Sequence, residues 1–211
     1  MTDHNRSGPD GRLVVISAPS GAGKTSLVRA LLDADQGARF STSYTTRPPR
    51  PGEKDGTDYL FVSPQVFSKM AKAGDFLEHA TVFDHSYGTS GSQVDELTSA
   101  GHDVLLEIDW QGAAQVREQR PECLSIFILP PSLEELERRL RGRSTDSQEV
   151  IRRRLDDALD DMSHWEEFDY AVINEDFDKA LHDLRSVLAG CGEKFSTRNQ
   201  DVRLRIAKVV A

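Results

Sequence analysis

The run Ala18-Pro19-Ser20-Gly21-Ala22-Gly23-Lys24-Thr25 has the residue types and spacing to hold a polyphosphate. Gly21 and Gly23 let successive backbone N–H groups converge on an anion, and Lys24 and Thr25 follow at the point where a helix is expected to begin. Lys24 is expected to reach the β and γ phosphates of a nucleoside triphosphate, and Thr25 to place its hydroxyl on Mg²⁺, with Ser26 closing the binding run. The flanks are those of a Walker A loop: the apolar Leu13 to Ile16 before it and a helical pattern with Leu27 and Leu31 on one face after it. Ala18 stands where that pattern usually has its first glycine, which calls for a negative φ that tolerates a Cβ. An ordinary turn and helix cap is the competing reading, and the strand-loop-helix context favours the phosphate loop.

Two basic clusters could meet a second anion. In SYTTRPPRPGEKDGTDYLFV, residues 43 to 62, Arg47, Arg50 and Tyr59 could clamp one phosphate group through charge-assisted hydrogen bonds. On residue types alone the segment reads equally well as a solvated basic loop. Further on, Arg138, Arg139, Arg141, Arg143, Arg152, Arg153 and Arg154 face only Asp146 and Glu149 within their own stretch. Such a concentration needs an anionic partner or compensating acids. Asp156, Asp157, Asp160 and Asp161 follow, so part of the cluster reads as a salt-bridged surface of little energetic worth.

The background in which these clusters stand is acidic. A net charge of -9 over 211 residues excludes a broadly basic face for nucleic acid or a membrane surface, so any basic patch is local. With 37% hydrophobic residues the chain can bury a proper core. The longest apolar run is far short of the ~20 residues that cross a bilayer. Cys123 and Cys191 have no metal-ligand spacing and read as small buried or half-buried hydrophobes. The N-terminal MTDHNRSGPDG has no apolar leader core, and a cytoplasmic setting is the expectation.

The elements that must position these groups alternate. Leu13 to Ile16, Val104 to Ile108, Ser125 to Leu129 and Tyr170 to Ile173 read as buried strands, with helical patterns between them, so the class is α/β with a parallel sheet flanked by helices. A helix after the third strand is expected to be capped by a Ser132–Glu135 box and to bury Leu133, Leu136 and Leu140. Another begins near Asp146 or Ser147 and buries Ile151, Leu155, Ala158 and Met162, with residues 141–147 and Gly142 between the two as a small mobile lid. The stretch 47–90 breaks the alternation. Tyr59 to Val62 and Phe76 to Phe83 show period-two character and read as paired antiparallel strands of an inserted lobe, with a short helix over Pro64 to Ala73 between them. Residues 1–11 read as a disordered tail, and 190–211 as a basic extension with no evident contact partner.

The order Thr45-Thr46-Arg47-x-x-Arg50-x-x-Glu53-x-x-Gly56-x-x-Tyr59-x-Phe61 resembles the signature of the guanylate kinases of bacterial type, and the likeness runs over about residues 12 to 189. It takes in the phosphate loop, Glu78, Tyr87-Gly88-Thr89, Glu107-Ile108-Asp109-x-Gln111-Gly112, the arginine-bearing segment and Asn174. The resemblance implies a P-loop nucleoside monophosphate kinase fold with a core (12–42, 94–137 and 156–189), a GMP-binding lobe (43–93) and a lid (138–155). It implies that Arg47, Arg50, Tyr59 and Tyr87 bind the GMP phosphate, that Ser43, Glu78 and Thr89 read the guanine, and that Asp109 lies near GMP and the metal. Glu107 joins the GMP set at a position often held by Asp. Arg139, Arg143 and Arg154 match the family's lid arginines, which close on the transferring phosphate beside Lys24. Asn174 matches the contact to the adenine end of ATP, although a turn cap suits it equally well. Ser144 replaces a usual Gly and Gln148 an often acidic residue, which bears on the flexibility of the lid and not on its charge.

The chemistry of Glu78 fits its implied role. A carboxylate accepts from both N1–H and the exocyclic amine of guanine, whereas adenine presents an acceptor at N1, and a mismatch of this kind can be worth ~10⁴ in discrimination. Without the resemblance, Glu78 in FLEHATVF reads as a solvent-facing strand residue. The activity implied is reversible, Mg²⁺-dependent transfer of the γ-phosphoryl group of ATP to GMP, giving ADP and GDP, in purine nucleotide metabolism. A binding module that has lost its chemistry is disfavoured by the intact Gly23-Lys24-Thr25 together with Arg47, Glu78 and Asp109. A kinase for a sugar phosphate is disfavoured by Glu78. The partners expected are ATP and GMP, with no nucleic acid and no membrane. Residues 190–211 could serve contacts in a homo-oligomer.

Overall fold

The computed structural model describes residues 11–82, 84–142 and 148–210, with residues 148–150 by backbone alone. In chain order the elements are β1 (Leu13–Ser17), α1 (Lys24–Ala34), β2 (Ala38–Phe40), β3 (Tyr44–Thr45), β4 (Leu60–Phe61), α2 (Pro64–Ala73), β5 (Phe76–Val82), β6 (His85–Ser90), α3 (Gly91–Ser99), β7 (Asp103–Glu107), α4 (Trp110–Gln119), β8 (Leu124–Leu129), α5 (Leu133–Arg141), α6 (Gln148–Ser163), β9 (Tyr170–Ile173), α7 (Phe177–Leu188) and α8 (Gln200–Ala207). One sheet has the strand order β2-β7-β1-β8-β9 and the other β4-β3-β6-β5.

The five-stranded sheet is the parallel one read from the sequence: Ala38 pairs with Asp103 where β2 runs beside β7, and Ile126 pairs with Tyr170 where β8 runs beside β9. Its interior strands are apolar because helices cover both faces, and Val14, Val15, Ile16, Leu105, Leu106, Phe127 and Ile128 are fully buried. The edge strand β2 escapes the apolar-run criterion. Its Ala-Arg-Phe goes from buried to exposed to half-buried, as an edge allows.

The four-stranded sheet corrects the expected lobe. The runs around residues 60 and 76 are not partners: β4 and β5 lie at opposite edges, separated by β3 and β6. The antiparallel partner of β5 is β6, with Val82 opposite His85 across a turn in which Asp84 takes a left-handed φ of 67°. β3 runs parallel to β4 and antiparallel to β6. Both inner strands are short, or rich in Ser, Gly, Thr and Tyr, which hid them from a hydrophobic pattern. The helix between β4 and β5 has the expected bounds, with the Ser63 side chain accepting from the Val66 N–H and Gly74 closing the end at φ 76°.

The chain clusters into two compact units. Among the described residues, one comprises 15–36 and everything from 124 onward, and the other 11–14 and 37–123. In the first, α1 buries Leu27, Val28 and Leu31, and α7 buries Ala180, Leu184 and Val187. Phe127 meets Phe168 edge to face, ring centroids 5.0 Å apart. Of the leucines and neighbours expected inside α5 and α6, Leu136, Leu140, Ile151, Ala158 and Met162 are buried, whereas Leu133 and Leu155 are half-buried. The Ser132 hydroxyl caps α5 by accepting from the Glu135 N–H, but the Glu135 carboxylate turns to Arg138 and Arg139, so the expected reciprocal box is half formed.

The C-terminal extension also departs from expectation, because it has clear partners. Phe195, Val202, Ile206 and Val209 are buried, the Thr197 hydroxyl donates to the Phe168 carbonyl at 2.5 Å, and the Arg203 guanidinium lies 5.4 Å from the Trp165 ring centroid. Cys123 is buried as expected and Cys191 is exposed. In the second unit the core is Val94, Leu105, Leu106, Val116, Phe67 and Phe76, with Arg12 and Asp103 joined by a forked ion pair. Expected outcome: Phe127→Ala removes the ring packed on Phe168 and lowers stability by about 3–5 kcal/mol in urea unfolding. A loss under about 1 kcal/mol would show that this ring pair is not central to the core.

Candidate functional site

The phosphate loop leaves the carboxyl end of β1, the place where open parallel sheets bind ligands. Gly21 and Gly23 take φ of 92° and 95°, and Ala18 does not, since Asp84 is the one non-glycine with positive φ among the described residues. The loop therefore needs glycine at 21 and 23 and tolerates alanine at 18. Gly23 is the N-cap of α1 and has no side chain to cap with. Two packing facts reinforce the choice. A Cβ on Gly21 would come within 3.0 Å of Leu136 Cδ1, and one on Gly23 within 2.5 Å of Asn174 Nδ2. Pro19 and Ala22 are buried, Ser20 and Lys24 half-buried, and Thr25 and Ser26 exposed.

Two elements of the same unit hold this loop from outside, the end of β9 and α5. Asn174, just beyond β9 and 5% exposed, donates from Nδ2 to the Ala22 carbonyl at 2.7 Å, and its own N–H donates to the Leu129 carbonyl at 2.8 Å. Arg139, from α5, donates to the Ala22 carbonyl at 3.5 Å and to the Asn174 carbonyl at 3.2 Å, while its Nε donates to Glu135 at 2.8 Å. Glu135 thus carries two arginines, and their hydrogen bonds, from Arg138 first and then Arg139, hold its pKa at about 2. The structure brings Arg139 and Asn174 to the loop. Arg154 is half-buried on α6, and Arg143 lies outside the described residues, as does Ser144.

The second unit carries two further clusters. In the first, Arg47 is 9% exposed and sits 5.4 Å from the Tyr59 ring centroid and 5.9 Å from that of Phe61. Tyr59 meets Tyr87 edge to face at 5.9 Å. Burial pushes the Tyr59 hydroxyl up to about 12, with the charge of Glu107 adding to it, so the phenol stays a neutral donor throughout the physiological range. Arg47 donates to Glu53 Oε1 at 2.8 Å, and the Arg50 N–H donates to Glu53 Oε2 at 2.7 Å. The Arg47 pKa is raised, first by the hydrogen bond to Glu53 against the opposing effect of burial, and then by Tyr87. Arg50 itself is exposed. Glu53 is part of the signature, but its task is not evident from the sequence. Its position six residues after Arg47, across a Pro-Gly turn, was the available signal.

In the second cluster, Glu78 is 3% exposed on β5 and opposite Thr89 on β6. The Thr89 hydroxyl donates to Glu78 Oε1 at 2.6 Å, and the Ser43 hydroxyl stands 3.5 Å from that of Thr89. Asp109 is the N-cap of α4 and accepts from the Gly112 N–H at 2.8 Å. Buried hydroxyls beside a buried carboxylate make a polar cluster chemically able to accept from paired N–H donors. Thus the implied residues Ser43, Glu78 and Thr89 meet in one cluster, and Arg47, Tyr59 and Tyr87 in the other. Among the described residues no group of His, Cys, Asp and Glu could by itself cage a metal ion.

The sequence profile of the family described as guanylate kinase matches residues 10–190. The guanylate kinase of Hahella chejuensis is 57% identical over 193 residues, 92% of each chain. That of Alkalilimnicola ehrlichii is 58% identical over 177 residues, 84% of this chain and 87% of its own. Among solved structures, the guanylate kinase of Anaplasma phagocytophilum is 34% identical and superimposes with a TM-score of 0.73, over 94% of this chain and 95% of that one.

The ion pair in the Arg47 cluster generates a pH prediction. The Glu53 carboxylate is held below its ordinary value of 4.5, chiefly by the hydrogen bond from Arg47. A depressed carboxylate pKa contributes stability that is present above the unfolded value and lost as pH falls through the folded one. The stability advantage of the wild type over Glu53→Gln is therefore expected at pH 7 and to shrink below about pH 4.5. Denaturant unfolding at pH 7 and pH 3 checks this, and an advantage equal at both values would rule out the Arg47–Glu53 pair as its source.

Proposed function

The chain belongs to the guanylate kinase family, and from that premise we propose how its two units divide the transfer of the γ-phosphoryl group from ATP to GMP. The enzyme is an ATP:GMP phosphotransferase, and its products are ADP and GDP. The observation that carries the division of roles is the buried Glu78 carboxylate with Thr89 donating to it at 2.6 Å. A buried acceptor of that kind rewards guanine, with donors at N1 and the exocyclic amine, and is left mismatched by adenine.

On this reading ATP lies along the phosphate loop, residues Ala18 to Ser26, with backbone N–H groups around Gly21 to Lys24 on the phosphates and the Lys24 ammonium at the β and γ groups. Asn174 serves ATP through the loop, because its side-chain amide is engaged with Ala22. The donor set fits Mg²⁺, which keeps few protein ligands and binds mainly to substrate phosphates. Thr25, exposed on the first turn of α1, offers the hydroxyl for it. When bound, the ion would neutralise charge on the β and γ phosphates. GMP presents its base to Ser43, Glu78 and Thr89 and its phosphate to Arg47, Arg50, Tyr59 and Tyr87, with Glu107 and Asp109 on the same ligand.

The chemistry needs no general base, since the attacking phosphate oxygen of GMP is already anionic near neutral pH. What the protein supplies is position and charge. Lys24, Arg139, Arg143 and Arg154 are the cations assigned to the transferring group. In the absence of GMP, Glu53 serves as counter-ion to Arg47, and the GMP phosphate competes for the same guanidinium. The free thiols of Cys123 and Cys191 support a reducing, cytoplasmic setting. The acidic surface supports small-molecule partners, with no nucleic acid.

A coupled assay of ADP release with GMP, AMP, dGMP and ribose bisphosphate as acceptors tests the reading. GMP is expected to be used best, and release with none of them would sink the assignment. Chelation of divalent cations by EDTA is expected to abolish turnover and added Mg²⁺ to restore it. Glu78→Ala is expected to lower kcat/KM for GMP by about 10²-fold or more while sparing the weak use of AMP. An unchanged preference for GMP over AMP would remove Glu78 from guanine reading.

A further inference from the structure

β5 is an edge strand, and its outer edge is satisfied by side chains of a helix in place of another strand. The Gln115 side chain both donates to the His79 carbonyl at 2.9 Å and accepts from the His79 N–H at 3.1 Å. Gln119 donates to the Leu77 carbonyl at 2.7 Å. The two residues so held are the immediate neighbours of Glu78. Gly112, three residues before Gln115 and seven before Gln119, completes a stripe on one face of α4. A Cβ at Gly112 would fall 2.5 Å from Glu78 Oε2 and 3.2 Å from Glu78 Cδ.

On its inner side β5 changes register between Phe76 and Glu78, a bulge that sets Glu78 directly opposite Thr89. Bulges re-aim a side chain, and this one leaves Phe76, Leu77 and Glu78 all buried in succession. The carboxylate is therefore bounded on both oxygens. Thr89 donates to Oε1, and Oε2 occupies the space that a side chain on residue 112 would fill. Helices prefer alanine to glycine at positions of ordinary φ, and Gly112 is not among the positive-φ glycines. The glycine is explained by the carboxylate that needs its space.

We propose that the Gly112–Gln115–Gln119 stripe of α4 is a specificity-determining support: it fixes, through the backbone of Leu77 and His79 and by the missing side chain at 112, where the Glu78 carboxylate meets the base. The inference rests on the reading of Glu78 as the guanine acceptor. The three residues act through the Leu77 and His79 backbone and the space beside Glu78, so all three are positioning residues. Their effect belongs in KM for GMP and in base preference, not in the handling of ATP.

The experiment compares Gly112→Ala, Gln115→Met, Gln119→Met and Glu78→Gln, measuring KM and kcat for GMP and ATP, the GMP-over-AMP preference, and urea unfolding. Gly112→Ala is expected to raise KM for GMP by about tenfold or more and to erode the base preference, with KM for ATP within about twofold and stability not reduced. Gln115→Met keeps the length of the side chain and loses both hydrogen bonds, and is expected to raise KM for GMP by about three- to tenfold. Gln119→Met, at an exposed position, is expected to move the same constant less, and it carries the test should Gln115→Met fold poorly. Altered stability with unchanged GMP constants in these variants, while Glu78→Gln loses base preference, would overturn the support and leave the guanine reading standing. If Glu78→Gln keeps the wild-type preference, the guanine reading fails, and the inference fails with it.

Discussion

The phosphate loop depends on the hydrogen bonds accepted by one carbonyl, that of Ala22. A loop that aims its N–H groups at an anion must turn its carbonyls away, and a buried carbonyl without a donor is costly. Here Asn174 Nδ2 meets it at 2.7 Å and Arg139 at 3.5 Å. These donors come from the end of β9 and from α5, so the strand-loop-helix unit that begins the chain is closed by residues more than a hundred positions later. The left-handed turns at Gly21 and Gly23 leave no room for side chains beneath Leu136 and Asn174, so packing and backbone conformation impose the same residue choice.

Charge is handled differently in the other unit, where an arginine is kept in place within an aromatic cluster. Arg47 is buried among Tyr59, Phe61 and Tyr87 and answered by Glu53. A buried cation without a partner costs several kcal/mol, so a counter-ion holds it until an anion of higher charge competes. The same unit buries Glu78 for the opposite purpose, as an acceptor. Thr89, the bulge in β5 and the glutamines of α4 specify where that acceptor sits. Two buried ions of opposite sign, each built into its own cluster, fit a ligand with phosphate at one end and hydrogen-bond donors at the other.

Much of the fold was legible. Four of the five strands of the parallel sheet, β1, β7, β8 and β9, were legible within a residue of their observed bounds, because each is a short apolar run. Helix α2 was read to the residue, since Ser63-Pro64 and Gly74 are strong start and stop signals. The inserted sheet was not legible. β3 has two residues and β6 reads His-Ser-Tyr-Gly-Thr-Ser, so a hydrophobic pattern pairs the apolar β4 and β5, which stand at opposite edges. The extension from residue 190 reads as basic and unattached, and its four buried apolar side chains are too widely spaced to announce a core contact.

By itself the sequence carried the pattern of a phosphate loop at Ala18 to Thr25 and, through the order Arg47 to Phe61, the mark of the guanylate kinase family, because those are local patterns in which each residue's chemistry is set by its neighbours along the chain. Only the tertiary structure decided what restrains those residues: Asn174 on Ala22, Glu53 on Arg47, and the α4 stripe on the flanks of Glu78. Glu78 shows the difference most clearly. As a letter in FLEHATVF it is a solvent-facing strand residue; a bulge of one residue turns it inward, and strand register is a property of pairing between segments that no single segment encodes.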